Sequence, residues 1–458
     1  MFNIHIKKKW YFIYIEKIIG DVILMERICK YLYVISLDGL STLDFEYINT
    51  LPNFRNFIAS SSYCKNVYSV YPTLTYPAHA SIVTGRYPKN HGIVNNTLLQ
   101  LNRKSPDWYW HSKNIKGDTI YDLAAKNGMV VGALLWPVTA KARIQYNMPE
   151  IFANRPWENQ IIVSLFNGSP LFQYQLNREF GHLRDGIKQP NLDNFTHQSL
   201  LYTIKNKNLD LTLVHYTDLD SIRHKYGFYS EEAKLALKRH DKRIGEIVQT
   251  LKDKGIYEES TIILLGDHSS IDENKIINLN VLLMEKGYIH VDDRGKILDY
   301  KAIVKNCDGS AYIYTKGADE ERLKEILQEF NDKYECIEEI YSREEAIDFG
   351  ADPQCYLMLE AKKGYYFQDE ITGEIIKEIN SDSIKNGEEY TLSTHGYSPF
   401  KSDYTTVFMA AGRGIKKGNI IEKMNLVDEA PTIAKLLGLE LQNVDGKVVD
   451  DLIEENYV

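Results

Sequence analysis

What this chain lacks narrows it first. Cysteine is scarce, with only Cys29, Cys64, Cys307, Cys336 and Cys355 in 458 residues. They are odd in number, widely scattered and nowhere at metal-ligand spacing, which excludes a disulfide framework and a thiolate metal site. Idle thiols of this kind suit a reducing compartment, so a cytoplasmic location is expected. Positive charge is also in deficit. The formal net charge of -9 argues against gripping polymeric nucleic acid by neutralising its phosphates. Small phosphorylated substrates stay open, because bound cations supply a positive field locally. No apolar run is long and uninterrupted enough to span a bilayer, so no stable membrane insertion is expected. The nearest approach, Trp10 to Met25 behind Lys7-Lys8-Lys9, is broken by Glu16, Lys17 and Asp21 and has no small-residue cleavage site. Residues 1–24 therefore read as an N-terminal extension with Met25 as the native start; an ordered extra segment and a weak export signal are the other readings of them. Repeats at a fixed period and low-complexity tracts are missing too.

What is there is globular in composition, 44% hydrophobic and 26% charged, and long enough for one large core with insertions or for two domains. Apolar runs alternate with helical patterns, the sign of an α/β fold with a mostly parallel sheet. Strands are expected from Tyr31 to Leu37, Tyr63 to Val70, Met129 to Leu135, Leu209 to His215, Thr261 to Leu265 and Tyr404 to Ala411. Helices are expected near 119–127, 231–252 and 426–437, the last closed by Gly438. From 278 to 390 the segments become shorter and more charged. That stretch reads as an α+β insertion or cap on a core formed by 25–277 and 391–458.

Acidic residues and histidines gather just past the expected strand ends, where open α/β sheets place their sites. Asp38 follows YLYVISL; Asp220 and His224 follow LDLTLVH; Asp267 and His268 follow TIILLG; His395 lies in the loop STHGYSP. Each piece alone is a common turn or loop coincidence. Together they can supply two sites with three protein ligands each, open for water and substrate as a catalytic metal requires. A nucleophile is offered by YPTLTYPAHASIVTG. Pro77 suits a first helical turn, which sets Thr75 at a helix N-terminus whose free N–H groups favour an anionic phosphate. A plain cap role for Thr75 and the neighbouring hydroxyl of Thr73 are the competing readings.

The segment YPTLTYPAHASIVTGRYPKNHGIVNN resembles the nucleophile segment of the nucleotide pyrophosphatase/phosphodiesterase family, within the alkaline phosphatase superfamily. The likeness runs through LDG, D-x-x-x-H, the D-H pair and the T-H-G loop, from about Tyr31 to Pro399, and the tail DEAPTIAKLLGLELQNVDGK resembles the superfamily's end. It implies an alkaline-phosphatase-like fold with a mostly parallel sheet flanked by helices. It also implies two zinc ions, one on Asp220, His224 and His395, the other on Asp38, Asp267, His268 and Thr75. Asn96 falls at the family's phosphate-binding asparagine, with Asn95 as fallback. Tyr76 and Trp136 fall at aromatic positions beside the substrate. Departures are Leu74 in place of lysine, Ser269-Ser270 after the D-H pair, and Asn154-Arg155 where a second stacking aromatic is expected.

The resemblance implies cleavage of phosphodiester or pyrophosphate bonds in a small, nucleotide-type substrate through a phosphothreonine intermediate. A phosphomonoesterase, or a phosphonate or phospholipid-headgroup hydrolase, on the same centre is the rival activity. A sulfatase is disfavoured because no cysteine occupies position 75, and a non-catalytic binding module because every expected ligand is retained.

Overall fold

The computed structural model describes residues 27–379 and 390–457; the extension read at 1–24 lies outside them. The centre is a nine-stranded sheet. Its main strands are β1 (Tyr31–Leu37), β2 (Ser61–Tyr68), β3 (Val131–Leu134), β4 (Tyr146–Met148), β5 (Leu211–Tyr216) and β6 (Ser260–Leu265), with a last strand at Thr406–Gly412. In space the order runs β2, Thr406–Gly412, β6, β1, β5, β3, β4, and two short strands, Ile420–Ile421 and Met424–Asn425, pair with β2. From β6 to β4 the pairing is parallel, whereas Thr406–Gly412 is antiparallel to both its neighbours.

Side chains of β1 alternate between two faces, as the two-residue period of a strand dictates. Leu32 and Val34 join one cluster with Ile82 and Val83 of the Thr75–Thr84 helix and Ile433 of the Glu429–Leu436 helix. Tyr33 and Ile35 join another with Ala236, Ile244 and Leu251 of the long Glu231–Lys254 helix. Both faces are covered, so YLYVISL is buried along its whole length and carries no polar alternation.

Sheet register aligns the functional ends. Ser36 pairs with His215 on one side and with Leu265 on the other, so the chain leaves β1, β5 and β6 at one level. β1 leads to neighbours that come much later in sequence on both sides, which opens a crevice at the carboxyl ends of the strands.

Beyond the core, Ala302–Cys307, Ser310–Thr315, Leu357–Ala361 and Ile337–Ser342 form a four-stranded antiparallel sheet in that order. It is backed by the helices Leu279–Glu285 and Glu320–Tyr334 over a cluster of its own. The strand Lys275–Ile277, which the sequence assigned to the core, pairs with Tyr365–Phe367 and Ile376–Glu378 of the 278–390 stretch.

Candidate metal centre and nucleophile

Thr75 is the first residue of its helix and Pro77 the third; Leu74 stands at the cap position without a capping side-chain bond. The Thr75 hydroxyl is therefore not a cap. It lies 3.2 Å from His268 Nε2, at the positive end of its helix's dipole, where the Tyr76 N–H is already bonded to Asn96 Oδ1. Thr73 is differently placed: its Oγ1 bonds the Tyr397 carbonyl and the Tyr404 hydroxyl, both at 2.9 Å.

Asp38 follows β1 directly. Gly39 has a φ of +73°, and a Cβ there would sit 3.3 Å from the Asp220 Cβ, so glycine is what lets the Asp38 loop approach Asp220. Asp267 and His268 follow β6 after Gly266. His395 follows the short strand Ser393–Thr394. Gly396, with φ +85°, turns the chain where a Cβ would lie 1.7 Å from the Cys307 carbonyl oxygen. Asp220 and His224 correct the strand-end-loop expectation. They lie one turn apart on the helix Asp218–Tyr226, with Asp220 Oδ2 3.0 Å from His224 Nε2, because a four-residue spacing puts both on one helix face.

These groups converge. His268 Nε2 is 3.3 Å from both Asp38 Oδ1 and Asp267 Oδ2, and the His268 and His395 rings stack with centroids 3.9 Å apart. Ligand atoms of Asp38, Asp267 and His268 lie within 4.8 Å of one another, as do those of Asp220, His268 and His395. Asp38 Oδ1, Asp220 Oδ1 and Asp267 Oδ2 are buried without any hydrogen-bond partner. Three buried carboxylate oxygens without a hydrogen-bond partner are costly unless a cation compensates them.

Second contacts point the same way. Nδ1 of His224 donates to the Ser393 carbonyl (2.7 Å), Nδ1 of His395 to the Thr73 carbonyl (3.0 Å) and Nδ1 of His268 to the Ser269 carbonyl (3.1 Å). Each histidine thus turns Nε2 inward, the arrangement that orients metal-ligating imidazoles. Burial pushes His268 and His395 down to about 4, which keeps both neutral at ordinary pH. For His224 burial acts in the same direction, but the Asp220 carboxylate outweighs it and lifts the ring to about 9. A cation binding there displaces that proton. Burial lifts Asp267 to about 6. The set of carboxylates and imidazoles fits zinc and similar divalent ions.

Two other acid–histidine clusters do not fit. Asp193, Asp218 and His240 are already matched by cations, with Arg239 2.6 Å and Arg243 3.2 Å from Asp218. His79 and His215 lie near Asp267, but His79 bonds the Thr75 carbonyl (2.8 Å) and Ser36 Oγ (2.9 Å), and His215 bonds two carboxylates.

At the pocket wall, Asn96 Oδ1 accepts from the Tyr76 N–H at 2.9 Å and the residue lines a cavity of about 1060 Å³ together with Leu74, Trp108 and Asp308. Asn95 is engaged elsewhere, its amide bonded to the Asn306 carbonyl and to Cys307 Sγ. The two expected substrate aromatics need correction. Trp136 is fully buried with its ring 4.8 Å from His79; it packs behind the centre in the core, out of a substrate's reach. Tyr76 is also fully buried, its hydroxyl 3.1 Å from Glu150 Oε1 and its ring against Trp108 at 5.1 Å. Trp108, which sequence reasoning missed, is the aromatic that lines the cavity, braced by Tyr76 and by Phe152 at 5.6 Å. The run Trp108-Tyr109-Trp110 was the available signal.

Comparison with known proteins now adds to this geometry. The model of the type I phosphodiesterase / nucleotide pyrophosphatase family matches residues 32–398. Bis(5'-adenosyl)-triphosphatase ENPP4 of Homo sapiens is 24% identical over 434 residues, covering 89% of this chain and 78% of that protein. Ectonucleotide pyrophosphatase/phosphodiesterase family member 1 of Homo sapiens is 29% identical over 248 residues, 51% of this chain and 23% of that protein. Murine ectonucleotide pyrophosphatase / phosphodiesterase 5 superposes with a TM-score of 0.64 at 18% identity, covering 93% of this chain and 100% of its own. The same murine protein has been solved as an inactive threonine-to-alanine variant in complex with AMP, again with a TM-score of 0.64 and 18% identity. The fold, the order of the motifs and a family match over most of its length agree: the chain belongs to the type I phosphodiesterase / nucleotide pyrophosphatase family, whose members are hydrolases.

Proposed function

We propose that this protein hydrolyses phosphodiester or pyrophosphate bonds of small nucleotide-type substrates at a two-zinc centre, with Thr75 as nucleophile. The observation that carries the reading is the Thr75 hydroxyl at a helix N-terminus, 3.2 Å from His268 Nε2, beside three buried carboxylate oxygens that have no partner. Asp220, His224 and His395 would hold one ion and Asp38, Asp267 and His268 the other, with Thr75 beside the second. Bound there, the pair supplies Lewis-acid stabilisation of the attacking and leaving oxygens of an in-line displacement.

The chain's own groups do the rest. The Thr75–Thr84 helix aims Oγ1 at phosphorus, and the positive end of its dipole, with the Thr75 N–H, faces a phosphate oxygen. The Asn96 side-chain amide, its oxygen fixed by the Tyr76 N–H, presents its NH2 to the same phosphate. As the Thr75 oxygen–phosphorus bond forms, the bond to the leaving oxygen breaks and that oxygen leaves with a proton. Water then cleaves the phosphothreonine ester and restores the hydroxyl. Trp108 offers a flat face for a base, and Arg103 and Lys104 line the same cavity, cations suited to the further phosphates of a pyrophosphate-type leaving group. The activity by which human ENPP4 is named, bis(5'-adenosyl)-triphosphatase, and the AMP held by murine ENPP5 support a nucleotide substrate.

Thr75→Ala tests this directly on bis-p-nitrophenyl phosphate with zinc-loaded protein. It should keep its metal and lose at least about 10³-fold in kcat, the scale of a deleted covalent route. Thr75→Ser should keep substantial activity, and Thr73→Ala should be mild. Near-normal turnover by Thr75→Ala would end the assignment. Faster turnover of p-nitrophenyl phosphate than of the diester would favour the phosphomonoesterase reading.

A further inference from the structure

We infer that His215 and Glu150 form a positioning relay that fixes which oxygen of Asp38 is presented to the metal centre. The inference rests on the two-metal reading above and goes beyond its ligand set.

His215 is the penultimate residue of β5, level with Ser36 of β1, and is fully buried. Its Nε2 lies 3.1 Å from Asp38 Oδ2 and its Nδ1 lies 3.0 Å from Glu150 Oε2. Both ring nitrogens are engaged, so the side chain has no lone pair to give a metal although it stands among the ligands. Its effect on Asp38 is selective. With Oδ2 held by the ring, Oδ1 is the oxygen left without a partner, and Oδ1 is the one facing His268 Nε2 at 3.3 Å. A carboxylate pinned at one oxygen binds through the other, in one orientation, without first losing rotational freedom.

Glu150 is itself anchored. It stands two residues beyond β4, and its Oε1 accepts from the Tyr76 hydroxyl at 3.1 Å. Tyr76 in turn gives its backbone N–H to Asn96 Oδ1 at 2.9 Å. One chain of contacts thus joins a proposed metal ligand just after β1, a histidine on β5, a carboxylate after β4 and the residue following the nucleophile. Nothing else hydrogen-bonds Asp38 Oδ2 among the described residues, so the orientation of that ligand depends on His215, and that of His215 on Glu150.

The test compares wild type, His215→Gln, Glu150→Ala and Glu150→Gln. Zinc affinity is read by titration against a competing chelator, coordination by the visible spectrum of cobalt-loaded protein, and folding by the Tm of the metal-free form. Wild type should hold two ions. His215→Gln and Glu150→Ala should weaken one of them about 10–100-fold, the usual effect of losing an outer partner of a metal ligand, and should alter the cobalt spectrum. Glu150→Gln keeps an acceptor for His215 and should stay closer to wild type. If the buried His215→Gln fails to fold, Glu150→Ala decides, since Glu150 reaches the surface with 20% of its side chain exposed. A lowered metal-free Tm with unchanged affinity and spectrum would make the pair merely structural and overturn the relay. Two ions held at wild-type strength by Glu150→Ala would overturn the relay alone, whereas fewer than two ions in wild type would bring down the two-metal reading with it.

Discussion

Single atoms carry most of the functional argument. Asp38 Oδ1, Asp220 Oδ1 and Asp267 Oδ2 are buried and unpaired, a state that folding avoids unless something else satisfies them. The six acid and histidine residues proposed as ligands could be picked out of the sequence because each sits in a short word placed right after a strand or on one helix face. Trp108 is marked only by the aromatic run Trp108-Tyr109-Trp110, and His215 and Glu150 by no such word. They reach the site from three separate segments, and only the register of β1 with β5 and the packing of Tyr76 bring them in. Trp136 shows the reverse error: a residue near the site in sequence order whose side chain turns into the core. Trp108 is the aromatic that lines the cavity and the one proposed to meet the base, and a prediction follows at this scale. Trp108→Ala should raise KM for p-nitrophenyl thymidine monophosphate by roughly 5–100-fold, the range of a lost base–aromatic stack, with a much smaller change in kcat. An unchanged KM would remove Trp108 from the substrate wall.

At the scale of elements, the long apolar strands were legible to within a few residues, because a strand buried on both faces leaves an unbroken apolar run. The helix carrying Asp220 and His224 was not, since its sequence is polar and its only mark is the four-residue spacing. Ion pairs position it. Arg223 donates to the Gly39 carbonyl at 2.5 Å and pairs with Asp44 at 2.6 Å, which ties the helix to the Asp38 loop. A comparable clamp holds the His395 loop. Glu360, on the strand Leu357–Ala361, accepts from the Ser398 N–H at 3.0 Å and from the Tyr71 hydroxyl at 2.5 Å, and pairs with Lys401 at 2.9 Å.

Burial raises the Glu360 carboxyl to about 7 against the opposing pull of Lys401 and these hydrogen bonds, from an ordinary 4.5. Between those values the native protein retains a proton that the unfolded chain has released, so stability falls as pH rises. The contribution is complete below the unfolded value and is lost by the time pH passes the folded one, roughly 3 kcal/mol at most. Glu360→Gln cannot titrate. Its Tm relative to wild type should therefore improve steadily from pH 4.5 to 7.5, as followed by circular dichroism at fixed ionic strength. A constant offset across that range would mean that Glu360 is ionised in the native state throughout.

On the scale of the whole molecule, the stretch 278–390 does not merely decorate the central sheet. Its hairpin at Cys307–Ser310 presses on the His395 loop, with the Gly309 N–H bonded to the His395 carbonyl at 2.8 Å and Ser310 Oγ to the Gly396 carbonyl at 2.6 Å. From the other side, the core grips the same loop through His395 Nδ1 and the Thr73 carbonyl at 3.0 Å. His395, a proposed metal ligand, is thus held between both parts, and filling the centre should order both. Ligand binding stabilises the native state by about 4 kcal/mol at a thousandfold excess over Kd, and that energy should appear wherever the loop is clamped. Zinc-loaded and chelated protein compared by hydrogen exchange should differ at the ends of β1 and β6, at 393–398, and also at 307–310, which holds no proposed ligand. Slower exchange on loading at the strand ends, with 307–310 unchanged, would show that the 278–390 stretch merely rests on the centre and is uncoupled from it.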